Sequence, residues 1–365
     1  MIVFRSSCGG YGDGGIDLLY WRPLHHHVHK VFRRPQRSLQ ALATERWMIS
    51  PATTRYIAPA FFLPGQIERI RGTEFGPPEE IIRGLAGGYT SEQSATWGLR
   101  LNDVDLLDGT LYTSKGAALL RSRASSIPLY TRPSAAIGRA TITESWMGNR
   151  WFGMWLLDDC LRGLLPEGDG SVVRTRARPT DHQRDYEHRL GISATPVDDT
   201  HFDELFAFED EGHNDGKRDR AERMRHMLVG PLSVSRHAGV FLLRGKSGER
   251  RFLLNEHEIA EKLSIERGFR VIDPTTAPLS TLIEACAGAR VVAGVEGSQL
   301  AHGMVVMPPD ASLLTIQPSD RVVSVLKVST DRQGQRYAFV VGDGGRDGFR
   351  VHWGEVAATL DLLEA

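Results

Sequence analysis

An α/β fold with two Rossmann-like domains facing a cleft is what this sequence predicts, and three observations carry the prediction. Between residues 239 and 318, short apolar runs alternate with amphipathic stretches across loops of a few residues, as parallel βαβ units require. A looser alternation of the same kind runs from residue 46 to 230, where Gly230-Pro231 stops a basic helix. Finally, "VVAGVEGSQLAHGMVVMPP" (291–309) is an apolar strand that breaks on glycine and restarts as a helix. That shape places ligands at the carboxyl edge of a doubly wound sheet. The expected organisation is an N-terminal extension over 1–45 and an N-terminal α/β domain over 46–230. A C-terminal Rossmann-like domain follows over 231–350, then a closing helix over 351–365.

Taken in order, the extension holds the glycine-rich "CGGYGDGG" and the basic, proline-flanked "RPLHHHVHKVFRRPQR". His25, His26, His27 and His29 are metal-ligand types without the fixed spacing of a catalytic site. "RYIAPAFFLPG" reads as a strand closed by Pro64-Gly65, and "GTLYTS" and "ATITES" as β-branched strands. "NRWFGMWLLDDCLRGLLP" reads as a helix, with Met154, Leu157, Leu161 and Leu164 at helical spacing. "SVVRTRA" is a strand, "DHQRDYEHRLG" a helix ended by Gly191, "DELFAFED" a strand and "GKRDRAERMRHMLVGP" a basic helix. In the second half "AGVFLLRG" is a buried strand. "NEHEIAEKLSIERG" is a helix with Asn255 at its N-cap, Glu258 three residues on and Gly268 past its end. "FRVID", "RVVAG" and "SLLTIQP" are strands, and "PLSTLIEACAG" and "SQLAHGMVVM" are helices. "WGEVAATLDLLEA" closes the chain as a helix packed across the domains.

Composition narrows the class. Apolar residues make up 41% and charged residues 24%, as in a soluble globular enzyme. With 44 basic and 45 acidic side chains, the formal charge of −1 gives no global attraction to nucleic acid. Cys8, Cys160 and Cys286 are odd in number and far apart, as reduced thiols rather than a disulfide framework would be. No stretch has the apolar length of a membrane span, and the N-terminus lacks a signal peptide's apolar run. The expected location is the cytoplasm, with a position at the inner membrane surface left open.

The turn Gly294-Val295-Glu296-Gly297-Ser298 lies where backbone N–H groups and a helix N-terminus suit an anion. A plain tight βα turn would have the same glycines. It is neither a dinucleotide fingerprint nor a Walker A loop. As a hydrolase elbow it would need glycine two residues either side of Ser298, where Glu296 and Leu300 stand. Ser298 and His302 share a helix face, apart from the apolar stripe of Leu300 and Met304. The loop "RGKSGERR" brings Arg244, Lys246, Arg250 and Arg251 to the same carboxyl edge, either to neutralise phosphates or as a solvated basic loop. Asp103 and Asp105, in "LRLNDVDLLDG", read as a turn between strands, with metal binding as the alternative. Of the pair Asp158-Asp159, Asp158 borders the buried stripe of their helix, as a general base or as a solvated flank.

At this point "ARVVAGVEGSQLAHGMVVMPPDASLLTIQP" (289–318) resembles the signature segment of glycosyltransferase family 61, in its bacterial, capsular-polysaccharide-like branch. "LLRGKSGERRFLLNEHEIAEKLSIERGFRVIDP" is similar to that family's arginine loop and Asn-Glu helix start. "FGMWLLDDCLRGLLP" and "FAFEDEGHNDGKRDR" are similar to its N-terminal helix and interdomain segment. The resemblance covers roughly residues 50 to 320. It implies a GT-B fold, a nucleotide-sugar donor in the C-terminal domain, and inverting transfer that needs no divalent metal or other cofactor. Met154 stands where many members have histidine, Glu296 replaces the common histidine of the glycine turn, and His302 stands where asparagine is common.

Residues and resemblance together give a set of expectations. A leaving diphosphate meets Gly297-Ser298, Arg244, Arg251 and Lys246, while Glu296 meets sugar or ribose hydroxyls. Asn255, Gln299 and His302 complete the donor site. Asp158, with Asp159 in reserve, activates a glycan or glycolipid hydroxyl. The rivals are a non-catalytic glycan- or nucleotide-binding protein of the same fold, and another nucleotide-dependent enzyme such as an epimerase or a pyruvyl transferase.

Overall fold

The computed structural model describes residues 20–24, 38–124, 130–165, 170–175, 179–230, 232–246 and 248–364. The histidine cluster at 25–29 and Cys8 lie outside these residues. Two large sheets carry the fold, and the chain is mixed α/β.

The first sheet is built from β1 (Glu45–Ser50), β4 (Thr96–Leu107), β5 (Thr110–Thr113), β6 (Gly116–Leu119), β7 (Ala135–Ile142), β8 (Ser171–Arg174), β9 (Thr195–Pro196) and β10 (Thr200–Glu209). Its order is β6-β5-β4-β10-β7-β8-β9, with β1 beside β4. Strand β10 runs parallel to β7 and antiparallel to β4, so this sheet is mixed, not the parallel sheet of a Rossmann half. The expected turn at Asp103–Asp105 is instead interior to the long strand β4. Asp103 takes φ 54°, and the ladder to β10 continues on either side of it. Asp105 is buried because Tyr20, Arg22 and His201 occupy its carboxylate, Arg22 at 2.7 Å and His201 Nδ1 at 2.8 Å. A small antiparallel pair, β2 (Thr53–Ile57) with β3 (Tyr89–Gln93), forms a separate two-stranded sheet.

The second sheet matches the sequence reading as far as residue 318, while the helix Val325–Gln333 and the two strands after it add to that reading. Strands β11 (His237–Leu242), β12 (Phe269–Ile272), β13 (Ala289–Val295), β14 (Ser312–Pro318) and β15 (Arg336–Gly345) are parallel neighbours in the order β12-β11-β13-β14-β15. β16 (Gly348–Arg350) adds an antiparallel edge. These strands are continuous apolar runs because both faces are covered. The helices Glu256–Arg267 and Trp353–Glu364 pack on one face, through Ile259, Leu263, Val356 and Leu360. Leu279–Ala287 and Val325–Gln333 cover the other. That second face shares one apolar core with the helices Asp181–Leu190 and Asp215–Val229 of the N-terminal half, through Tyr186, Met224 and Leu228. The segment 58–86 also leaves the first sheet: Phe61 bonds to Tyr337 and Phe339, and Arg69 pairs with Glu355. Order reverses between β11 and β13, so the loops after them diverge and open a crevice.

Candidate active site

Gly294 and Gly297 close the end of β13 for steric reasons. A Cβ on Gly294 would lie 2.6 Å from the Leu242 carbonyl oxygen. One on Gly297 would lie 2.0 Å from Arg244 Nη1, because the guanidinium passes directly over that backbone. The helix that follows is shorter than expected: a 3-10 turn, Ser298–Leu300, runs into Ala301–Met304. Seven residues give little macrodipole, so any anion affinity here rests on guanidinium groups and local N–H donors. The N–H groups of Gly297, Ser298 and Gln299 have no acceptor among the described residues. Ser298 and His302 face one cavity, while Leu300 and Met304 are buried in the core, as their spacing implied.

The basic loop after β11 divides in two. Arg244 and Arg251 are buried and turn inward, whereas Lys246 and Arg250 are exposed, and Arg250 pairs with Asp347 at 3.0 Å. Glu256 fixes the loop's entry by accepting the N–H groups of Arg244 and Gly245, both at 2.8 Å. Asn255 stands at the N-cap of the helix as expected, but its side chain makes no capping bond; it brackets the backbone of Val351, at 2.9 and 3.3 Å, and lines neither cavity. Arg244 donates to Gln299 Oε1 at 3.2 Å and to the Glu249 carbonyl at 2.7 Å.

Glu296 is buried and accepts from Arg251 and, at 3.1 Å, from Arg321. Its bonded partners here are thus two arginines. Arg321, 2% exposed, also reaches Glu249 at 3.1 Å. Nothing in the sequence reading singled out Arg321; a cation just past the end of β14, beside the glycine turn, was the available signal. Burial and the charge of Arg251 lower Arg244 to about 10, while burial also lowers Arg251 despite Glu296. Crowded guanidinium groups of this kind gain from an added anion.

Two cavities meet at this cluster, sharing Trp151, Glu249, Arg251 and Ser298. The larger, about 740 Å³, extends over Arg244, Gln299, His182 and the loop after β12. His302 lies in its wall, stacked on Tyr186 and bonded to its hydroxyl at 3.0 Å. Burial, with His182 beside it, lowers His302 to about 3, so the ring is neutral. The smaller cavity, about 320 Å³, has Asp158 in its lining, with Met154 and Glu296. Gly153 lets this wall close, since a Cβ there would lie 3.1 Å from Ser298 Cα.

Asp158 belongs to a π-helical stretch, Trp155–Asp159, inside the predicted helix; such bulges recur at functional sites and leave no periodicity signal. Its Oδ1 is 2.6 Å from Lys217 Nζ and 3.6 Å from Arg332. Burial alone would raise this carboxyl, but Lys217 and then Arg332 outweigh it and hold Asp158 well below the carboxylate range. Asp159 points elsewhere: it accepts the Ser145 N–H at 3.0 Å and hydroxyl at 2.7 Å, and pairs with Arg162. Burial pushes it up to about 7, yet it lines neither cavity. A Cβ on Gly148 would lie 1.8 Å from its Oδ2, so Asp159 seats the turn before Trp146–Arg150. Gly148→Ala should therefore cost about 1–3 kcal/mol of stability by overpacking, read as a lower melting temperature.

No curated protein sequence matches the chain. Among solved structures, the metal-soaked Flv1 flavodiiron core from Synechocystis sp. PCC6803 is 12% identical over 55% of this chain and 53% of that chain, with a TM-score of 0.23. A likeness that weak carries no argument. The family model described as Glycosyltransferase 61 matches residues 16–314.

Proposed function

The chain belongs to glycosyltransferase family 61, and from that premise we propose that it moves a hexosyl or pentosyl unit from a nucleotide sugar to a hydroxyl of a glycan or glycolipid, with inversion. As a glycosyltransferase it brings together a sugar donor and an acceptor. A GT-B-like pairing of two α/β halves, the first with a mixed rather than a Rossmann sheet, a role in bacterial surface or capsular polysaccharide, and a cytoplasmic site at the inner membrane face belong to the same proposal. Among the described residues no helix is long and apolar enough to cross a membrane.

The observation that carries the donor reading is the convergence of Arg244 and Arg251 on the Gly297–Ser298 turn, at the carboxyl ends of β11 and β13. As the glycosidic bond breaks, negative charge develops on the diphosphate. Buried guanidinium groups and backbone N–H donors are suited to stabilise it. This reading assigns that charge to Arg244, Arg251 and Arg321 and requires no divalent metal. Lys246, Asn255, Gln299 and His302 remain in the proposed donor set. Of these, Gln299 and His302 border the larger cavity. Glu296 acts in this reading by spacing Arg251 and Arg321 rather than by meeting a sugar hydroxyl first. Asp158 takes the acceptor proton.

A panel of nucleoside diphosphates and nucleotide sugars, in EDTA and in magnesium, tests the donor site. At a hundredfold excess over Kd the matching nucleotide should add about 2.7 kcal/mol to stability, seen as a higher melting temperature in EDTA. Arg244→Ala removes charge-assisted bonds of about 1.5–3 kcal/mol, so affinity should fall roughly ten- to a hundredfold. No shift with any nucleotide would sink the donor reading. A shift confined to magnesium would remove metal independence alone.

A further inference from the structure

Lys217 is the one lysine in a basic helix that faces inward onto the carboxylate assigned here as base. It is 1% exposed, on the buried stripe that also holds Ala221, Met224 and Leu228. Its Nζ is 2.6 Å from Asp158 Oδ1, 2.7 Å from the Asp210 carbonyl oxygen and 3.8 Å from Asp210 Oδ2. Asp210 is in turn held by Arg220 at 2.6 Å and by the Thr96 hydroxyl at 2.6 Å. The ammonium is therefore fixed from behind by groups anchored in the end of β10. Asp158 Oδ1 is closed to solvent and meets Lys217 as an ion pair without hydrogen-bond geometry, and its residue lines the smaller cavity, so the side of the carboxylate offered to that cavity is Oδ2.

We propose that Lys217 is a positioning residue for sugar transfer: it pins Asp158 Oδ1 so that Oδ2 faces the acceptor hydroxyl, and it keeps the carboxylate ionised until that proton arrives. The inference rests on the reading of Asp158 as the base. In the transfer step the acceptor oxygen bonds to the anomeric carbon as the bond from that carbon to the diphosphate breaks. The hydroxyl proton passes to Asp158 Oδ2, and the diphosphate leaves with the bonding electron pair. Lys217 keeps its own protons throughout.

Other charges face Asp158 as well. Arg332 approaches from the helix Val325–Gln333, Arg162 and Asp159 lie on its own helix, and Asp210 and Arg220 lie behind Lys217. Across the cavity stand Glu296, Arg251 and Arg321. His213, beside Arg332, is lowered to about 3 by burial and then by that arginine, and so stays neutral. Lys217 is the closest of the cations and contributes most to holding the carboxylate ionised. Without it burial is opposed chiefly by Arg332 and Arg162, so the carboxyl rises and is protonated over more of the acid range, where it cannot accept a proton. The acid limb of the rate profile must then move to higher pH.

The experiment follows nucleoside diphosphate release from the nucleotide sugar that stabilises the fold, across the pH range in which each variant stays folded. Lys217→Met should move the acid limb up by roughly one to three pH units, with turnover lost at acid pH and recovering as the pH rises towards neutrality. Lys217→Arg keeps the charge but displaces it, so turnover should fall roughly ten- to a hundredfold with the limb unmoved. That second pattern stands as the test if the methionine variant fails to fold. A folded Lys217→Met with the wild-type profile overturns the inference, as does Lys217→Arg with wild-type turnover. Asp158→Asn releasing diphosphate at the wild-type rate overturns instead the reading on which it rests.

Discussion

Asp158→Asn should lower acceptor-dependent turnover by roughly 10²- to 10⁴-fold, the range for loss of a positioned general base, while the nucleotide-induced rise in melting temperature persists. The two readouts separate because the groups do. Asp158 lines the smaller cavity, whereas Arg244 and Gln299 line the larger, on the far side of the shared Trp151 and Ser298. The amide keeps the shape and accepts a hydrogen bond, but it cannot take a proton in this range. Asp158 is a weak base because Lys217 and Arg332 oppose the effect of burial. A weak base serves a reaction in which the acceptor hydroxyl grows acidic only as its bond to the anomeric carbon forms. Asp159→Asn is the control. It loses the pairing with Arg162 and weakens the seat of Ser145, so it should lower the melting temperature while leaving turnover per folded molecule within a few-fold. If Asp159→Asn abolished turnover in folded protein and Asp158→Asn did not, the base assignment would be reversed.

The second sheet was legible as far as β14 because its physics is local, while β15 and β16, rich in glycine and charge at their junction, were not. Buried parallel strands are continuous apolar runs, and short loops force helices between them. The first sheet was not, since β4 carries Asn102, Asp103 and Asp105, which signal a turn unless tertiary partners satisfy them. Arg22 and His201, distant in sequence, are those partners for Asp105. The same limit hid part of the site. Arg244, Arg251 and the Gly297–Ser298 turn could be placed at one edge from strand order alone. Arg321 becomes relevant only when β14 is seen beside β13, and the sequence gives no reason to pair it with Glu296. Lys217 was concealed by its neighbours, because a run of Lys and Arg reads as a solvated face. Its spacing from Ala221, Met224 and Leu228 was the sign that it faces inward. Asn255 marks the opposite case: its residue type locates the N-cap correctly, but the structure uses its amide for the backbone of Val351 rather than for a capping bond.

Glu296→Leu should be among the most damaging single changes to both stability and donor binding. The side chain is buried between Arg251 and Arg321, themselves nearly inaccessible, and it accepts from both. Removing the shared carboxylate leaves two buried guanidinium groups facing each other, with Arg244 close by. Breaking a buried pair from one side costs about 3–5 kcal/mol. At an unfolding entropy of about 2.1 cal/mol/K per residue, that corresponds to a fall of roughly 5 °C in melting temperature. Glu249 can relieve only part of the loss, since it is half-exposed and bonded to Arg321 and Trp151. The variant should also change its response to anions. With Glu296 gone the cluster carries more uncompensated positive charge, so pyrophosphate should restore much of the lost stability. The nucleotide sugar should nonetheless give little turnover, because Arg251 and Arg321 no longer hold their spacing. Glu296→Gln keeps the shape and one acceptor oxygen, and should lie between wild type and leucine in melting temperature. If Glu296 instead served mainly to bind a sugar hydroxyl, both variants would keep near-wild-type stability and affinity for the bare nucleoside diphosphate, and would lose affinity only for the nucleotide sugar. The comparison of those two ligands therefore decides whether this carboxylate organises the arginines or reads the sugar.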